Sequence, residues 1–499
     1  MRVNFVDTTF RDGSQSLWAL RMTTGMMESV AQDMDNAGFK AIELPMNPIY
    51  FKKFVRDHKE DPWEMMRLMA SKMPRTPKGC MIAALIHPFE LRPPRAVVKL
   101  FFERAVATGA LNRGQLMANT MNQRTRDFPW FIPFLKGLGV QVAVALCYQI
   151  SPRHTDEYYA KLTREVAALN PDVIYLKDAG GLLTVDRVRT LVPTIMAHTG
   201  GIPFELHSHC TTGMAPLFYL TAAELGVPTL HTALPPLANG SGQPSIFAVA
   251  RNVRLLGGMA DIDEGLLHEA SAHLTEIARA QDLPIGAPLE FDQAQFIHQV
   301  PGGVISNLKQ QLKELRIAHR LDEVLDECVS VQREMGYPMM ITPYSQFVVT
   351  QAAMNVALGE RYKVVTDEVI RFTLGAFGSD SGYEHMDPNL KDRVLALPRA
   401  KEVQRALDAL DRPEPSLDEI RRSVGSASDS DEDFLLRYIM KGDQDIAAMR
   451  RAGPHRRFDR GAPGAQPGSM LALLDELLQS QRSTSVHVRR GQDHITLHS

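Results

Sequence analysis

Through the first half of the chain, short apolar runs alternate with longer amphipathic stretches, and no other feature narrows the possible folds as far. Strand-like runs lie near Val3–Asp7, Ala41–Leu44, Cys80–Ile86, Gln115–Ala118, Gln141–Cys147, Asp172–Lys177, Phe204–His207 and Thr229–Leu234. Between them, helical spacing of apolar residues marks Thr23–Ala37, Trp63–Met73, Thr155–Leu169, Val185–His198 and Met214–Leu225. Roughly eight βα units over ~250 residues match the size of one (β/α)8 TIM barrel. A doubly wound open sheet is the alternative, but no Gly-x-Gly-x-x-Gly follows the first strand, where that fold would place its phosphate loop.

Near residue 285 the rhythm changes, and from Pro288 to about Asp443 the pattern is mostly helical, clearest at Ile305–Arg316, Leu321–Met335 and Ser345–Leu358. The expected organisation is a barrel over 1–285, an α-rich C-terminal domain over 286–452, and a linker and tail over 453–499. In the tail, Gly453–Gly468 is rich in Gly, Pro and Arg and reads as a linker. Met470–Leu478 reads as a helix able to dock on a partner, and Val486–Val488 with His494–Leu497 as a small hairpin; a frayed terminus is the plainer reading.

With 44% hydrophobic and 23% charged residues among 499, the chain can bury a large core. Its 55 basic and 58 acidic residues leave a net charge of -3, which gives no electrostatic reason to expect nucleic acid or an anionic membrane. Cys80, Cys147, Cys210 and Cys328 lie far apart in apolar or helical segments, as reduced thiols of a cytoplasmic protein would. The first residues run directly into a strand without a signal-like region, and no apolar stretch reaches ~20 residues, so neither secretion nor a membrane span is expected.

The chemistry concentrates at strand ends. His207 and His209 alternate through Ser208, so on a strand both imidazoles face one side. Asp12 follows strand one and Lys177 closes strand six, and in a barrel all four reach the C-terminal face, where active sites are built. Each has a plainer reading: solvated or core histidines, a helix-start acid or partner for Arg11, and a lysine paired with Asp178. A lysine aimed at a cation repels it, but a buried amine sheds its proton readily and can then capture carbon dioxide as a carbamate. The expectation is a metal site of Asp12, His207, His209 and a carboxylated Lys177.

At this point the residues resemble a known family. Asp7-Thr8-Thr9-Phe10-Arg11-Asp12-Gly13-Ser14-Gln15, Leu176-Lys177-Asp178-Ala179-Gly180-Gly181-Leu182-Leu183 and Leu206-His207-Ser208-His209-Cys210-Thr211-Thr212-Gly213 resemble the first-, sixth- and seventh-strand motifs of the biotin-dependent keto-acid carboxyltransferases. These comprise the carboxyltransferase domain of pyruvate carboxylase, the α subunit of oxaloacetate decarboxylase and the keto-acid subunit of transcarboxylase. Further matches are Glu60–Glu64, His298–Gly303 and Ile341–Gln346, so the resemblance spans about residues 3 to 450.

The resemblance implies a divalent ion (zinc, cobalt or manganese) and carboxyl transfer between carboxybiotin and the enolate of a small carbonyl substrate. It implies that Arg11 and Gln15 handle the substrate and that Ser241 and Gln243 meet the biotin, with Ser241 relaying a proton. No Ala-Met-Lys-Met motif occurs, so the biotin is expected on a separate carrier protein, with a biotin carboxylase subunit as a further partner and a homodimer or larger ring as the assembly.

Departures fall on the substrate walls. Ala84 stands about where the family has an arginine, Gln115–Asn122 replaces a charged fourth-strand ending, and Pro45-Met46-Asn47 replaces Trp-Gly-Gly, leaving Glu43. A keto acid without its bidentate cation binds more weakly, so a larger or less anionic carbonyl compound is the expectation. Two other readings stay open: a biotin-independent metal-dependent aldolase or lyase, and a non-catalytic scaffold subunit.

Overall fold

The computed structural model describes residues 1–82, 93–314, 316–341, 344–409, 413–459, 485–490 and 493–498. Eight parallel strands close into a barrel: β1 Arg2–Asp7, β2 Ala41–Glu43, β3 Lys78–Met81, β4 Arg113–Met117, β5 Gln141–Cys147, β6 Val173–Asp178, β7 Phe204–Ser208 and β8 Thr229–Thr232. Each pairs with the next, and β1 pairs with both β2 and β8, which closes the ring. A ninth two-residue strand, β9 Met259–Ala260, adds to the start of β1. The open-sheet alternative is therefore excluded.

The period of two decides what each strand residue touches. On β5, Val142, Val144 and Leu146 pack outward in the layer between strands and helices. Ala143, Ala145 and Cys147 face the barrel interior, in a second cluster with Met117, Val173 and Tyr175. The helices that cover the strands are amphipathic for the same reason. Asp156–Ala167 buries Tyr159, Leu162 and Val166, and Val185–Met196 buries Val188, Leu191, Val192 and Ile195. Each such side chain contributes about 1.5–3 kcal/mol on leaving water. Thr155 and Thr184 cap these helices by accepting from the backbone N–H groups of Tyr158 and Arg187.

Three local differences from the sequence reading have physical causes. The stretch expected as one helix over Thr23–Ala37 is two, Thr24–Glu28 and Ala31–Asn36, separated at Val30, whose φ of -121° and ψ of 0° lie outside the helical region. At Gly25 the backbone of Arg456 approaches so closely that an added Cβ would lie 1.8 Å from its carbonyl oxygen. That contact belongs to the start of the expected linker, which is packed down rather than free: His455 Nε2 lies 2.9 Å from Glu28 Oε2. Third, Thr9–Gly13 after β1 forms a π-helical turn, a geometry frequent at functional sites.

Between the barrel and residue 453, the regular elements of the described chain are helices. Gly302–Glu314, Leu321–Glu334, Tyr344–Leu358 and Asp367–Thr373 build their core onto the interior cluster, through Leu308, Val331, Phe347 and Phe372. Asp431–Met440 and Gln444–Ala452 instead return to the outer layer through Phe434, Leu435 and Ile446, where Arg67 grips Glu432 in a bidentate pair at 2.9 and 2.8 Å. In the tail, Ser485–Arg490 pairs antiparallel with Asp493–His498, the expected hairpin, while the helix expected at Met470–Leu478 lies outside the described residues. All four cysteines are buried and unpaired. Among the described residues no helix is long and apolar enough to cross a membrane.

Candidate active site

At the C-terminal face, β6 and β7 run in register with Lys177 opposite His207, and the π-turn after β1 carries Asp12 toward both. Asp12 Oδ2 lies 3.2 Å from His207 Nε2 and 3.7 Å from His209 Nε2, and those two nitrogens are 3.4 Å apart. Lys177 Nζ is 3.4 Å from Asp12 Oδ2 and from His207 Nε2. Ligand atoms around a tetrahedral ion with bonds of about 2.0–2.1 Å stand about 3.3 Å from one another. Asp12, His207 and His209 therefore already hold the spacing of a divalent-ion site.

Protonation agrees with that use. His209 Nδ1 must donate to the Ser241 carbonyl at 2.6 Å, because a carbonyl only accepts, so Nε2 keeps its lone pair. Burial, and then the charge of Lys177, push the His207 imidazole well below its ordinary value, and burial also lowers His209. Burial alone would raise Asp12, but Arg11 and then Lys177 hold its carboxyl well below the usual carboxylate range. The donor set is thus neutral imidazole and carboxylate, the forms that bind metal.

The cluster opens into a cavity of about 330 Å³, whose lining also includes Arg11, Gln15, Asn47, Tyr50, Met81, Met117 and, from the helical region, Pro301, Gly302, Ile341 and Gln346. Arg11 is buried between two acids, with Nη1 2.9 Å from Asp12 Oδ2 and Nε 2.7 Å from Glu43 Oε2. The Tyr50 hydroxyl donates to Gln15 Oε1 at 2.7 Å, which leaves the Gln15 amide N–H groups to face a ligand. Lys177 does not pair with Asp178, whose carboxylate accepts from the Leu182 and Leu183 N–H groups and the Ser208 hydroxyl at 2.8–2.9 Å.

Ser241 and Gln243 are placed differently from each other. Gln243 Nε2 lies 3.1 Å from His209 Nε2, inside the cluster. Ser241 stands beside the cavity rather than in its lining, with its hydroxyl donating to the Ser16 carbonyl at 2.8 Å. Of the altered wall, Asn47 caps the helix Pro48–Lys53 and donates to the Met81 carbonyl at 2.8 Å. Asn119 is buried with both amide atoms unpartnered, and Ala84 lies outside the described residues. Among the described lining residues, the cations are Arg11 and Lys177.

Sequence reasoning missed Tyr50 and the buried group beneath the cluster formed by His231, Glu205 and Arg113. For the last three a signal existed: polar residues at inward positions of strands otherwise rich in apolar side chains.

Comparison with known proteins places this geometry in context. Residues 2–282 match the HMGL-like family, and residues 296–455 match the conserved carboxylase domain family. A pyruvate carboxylase subunit of Methanocaldococcus jannaschii is 34% identical over 397 residues, covering 79% of this chain and 68% of that protein. The methylmalonyl-CoA carboxyltransferase 5S subunit of Propionibacterium freudenreichii is 29% identical over 458 residues, covering 91% of this chain and 89% of that one. The carboxyl transferase domain of Rhizobium etli pyruvate carboxylase, solved with oxamate and biotin, shares the fold with a TM-score of 0.78 at 22% identity, over 91% of this chain and 78% of that one. This chain spans about two thirds of the length of the first of these relatives.

Proposed function

The chain belongs to the biotin-dependent keto-acid carboxyltransferase family, and from that premise we propose that it moves a carboxyl group between carboxybiotin and the α-carbon of a small carbonyl substrate. The observation that carries the reading is the cluster of Asp12, Lys177, His207 and His209, of which Asp12, Lys177 and His209 line a cavity together with Arg11 and Gln15 while His207 lies buried behind them. Asp12, His207 and His209, with Lys177 as its carbamate, would hold a zinc, cobalt or manganese ion, which when bound supplies Lewis-acid stabilisation of negative charge on a carbonyl oxygen.

The remaining work falls to the chain's own side chains. Removing a proton or carboxyl group from the α-carbon places charge on the carbonyl oxygen, and the preorganised Arg11 guanidinium and Gln15 N–H groups can meet it without reorganising. Arg11 stays fixed because Glu43 and Asp12 hold it from two sides. Ser241 is our candidate for the hydroxyl that relays the proton, a role that requires it to release the Ser16 carbonyl.

The finer substrate reading follows from charge. With Lys177 as its carbamate, Arg11 is the one side-chain cation of the described lining and is already held by Asp12 and Glu43, so the pocket favours a carbonyl compound larger or less anionic than pyruvate or oxaloacetate. The carboxybiotin would come on a separate carrier, with a biotin carboxylase subunit charging it, in a cytoplasmic complex built on a dimer or larger ring; that the relatives are named as subunits supports separate components.

The test is carboxyl transfer to free biotin by metal-loaded protein, across keto acids and acyl thioesters, together with the intact mass of the protein. Biotin-dependent turnover with a carboxyl adduct on Lys177 is expected. Carbon–carbon cleavage indifferent to biotin would replace this reading with a lyase, and full metal loading with no turnover of any donor would leave a scaffold.

A further inference from the structure

We propose that His231 is a positioning residue that fixes the tautomer of His207, and that Glu205, clamped by Arg113 and Lys40, fixes His231 in turn; this rests on the reading of Asp12, His207 and His209 as metal ligands. The strand pattern brings the groups together. Glu205 and His207 are two apart on β7 and share the inward face. Leu206 pairs with Leu230, so the next residue on each strand, His207 and His231, points inward at one level. All three are buried.

The hydrogen bonds run in one direction. Glu205 accepts from Arg113 Nη1 at 3.2 Å, from Arg113 Nη2 and from Lys40 Nζ at 3.0 Å, so two cations keep it a carboxylate. A carboxylate oxygen only accepts, so the hydrogen in its 2.9 Å contact with His231 Nε2 belongs to the imidazole. One hydrogen must lie in the 3.1 Å contact between His231 Nδ1 and His207 Nδ1, and since His207 can ligate a metal only through a bare Nε2, that hydrogen is carried by His207 and accepted by His231 Nδ1. His207 therefore donates through Nδ1 and keeps the Nε2 lone pair, on the side where Asp12 and His209 stand. The Tyr175 ring, stacked on His231 at 5.4 Å and 22°, holds the plane of the relay. His209 reaches the same tautomer independently, through the Ser241 carbonyl. A histidine ligand is set by the partner of its other nitrogen, and removing such a partner costs about 10–100-fold in metal affinity.

Glu43, His207 and His231 also lie close enough to suggest a second ion. Their hydrogen bonds argue against it. Glu43 is already held by Arg11 and by Gln115, and both His231 nitrogens are engaged, so a second divalent charge would have to break these bonds beside a guanidinium.

The test uses the full chain and cobalt(II) as probe, reading affinity by chelator competition, stoichiometry, and the visible d–d spectrum, with the thermal unfolding midpoint as a check on folding. His231→Phe keeps the ring and its stacking but removes both nitrogens; cobalt affinity should fall about 10–100-fold with an altered spectrum. His231→Asn, which can return an acceptor near the Nδ1 position, should recover most of it. Glu205→Gln, which no longer dictates the proton on His231, should weaken binding as well and serves if the phenylalanine variant does not fold. Unchanged affinity and spectrum in these variants would overturn the proposal, as would two cobalt ions per wild-type chain with one lost in His231→Phe. A wild type that binds no cobalt would instead remove the metal reading itself, and this inference with it.

Discussion

Arg11 shows most directly how single residues balance the site. Its guanidinium is buried among Asp12, Glu43 and Tyr50, and although burial opposes its charge, Asp12 and Glu43 raise its pKa well above the ordinary value. Substituting Arg11→Met leaves Glu43 a buried carboxylate without its cation, which should cost about 3–5 kcal/mol in urea unfolding. The double substitution with Glu43→Gln should recover part of that loss; no recovery would show that Arg11 acts through packing instead. A second residue-scale expectation concerns acid. Burial, and then the Arg153 charge, push the His154 imidazole down to about 3. The unfolded chain protonates this group near 6.5 and the folded chain only near 3, so below 6.5 the unfolded state binds more protons. Stability is fully present above pH 6.5 and should fall by about 1.4 kcal/mol per pH unit on acidification from this group alone. His154→Gln should remove that part of the slope; parallel wild-type and variant profiles between pH 6 and 4 would contradict it.

Elements transmit these constraints through their connecting loops. The loops after β6 and after β7 are joined by the Thr212 hydroxyl donating to the Gly181 carbonyl at 2.7 Å and by Thr211 donating to the Gly180 carbonyl. Gly181 has a φ of +65°, and an added Cβ would stand 2.2 Å from Thr211 Oγ1 and 2.7 Å from the His209 carbonyl. Gly181→Ala should therefore destabilise by about 1–3 kcal/mol and loosen metal retention without touching a ligand. Retention equal to wild type would show that the loop shifts without moving His209. The same element scale explains what was readable from sequence. Strand periodicity placed Lys177, His207 and His209 at strand ends, and the run after β1 drew attention to Asp12, because those cues are local. The π-turn that aims Asp12, the break at Val30 and the two-residue β9 depend on packing against residues distant in sequence, as at Gly25 and Arg456. Tyr50 and His231 escaped notice for the same reason: Tyr50 reveals itself only beside Gln15, and His231 only between Glu205 and His207.

At the scale of the whole molecule, the barrel and the helices after it share a core. Met117, Ala143, Ala145, Cys147, Val173 and Tyr175 from the barrel interior form one cluster with Val324, Val331, Phe347 and Phe372 of the helical region. Polar ties cross the same boundary: Arg124 meets Asp380, Arg153 Nη1 donates to the Gly336 carbonyl at 2.9 Å, and Met340 N donates to Gln149 Oε1 at 2.6 Å. A barrel expressed without these helices would expose the tops of β4 to β6 and lose Pro301, Gly302, Ile341 and Gln346 from its cavity wall. Because a shared apolar core couples the two parts energetically, heating should unfold them in one calorimetric transition rather than two. The same coupling predicts that filling the metal site raises the single midpoint of the whole chain, by an amount set by ion concentration over Kd. Residues 1–285 alone should bind an apolar dye and fail to retain metal at wild-type affinity. Two separated transitions, with only the first moved by metal, would instead show that the barrel forms the site unaided and that the helices merely cover it.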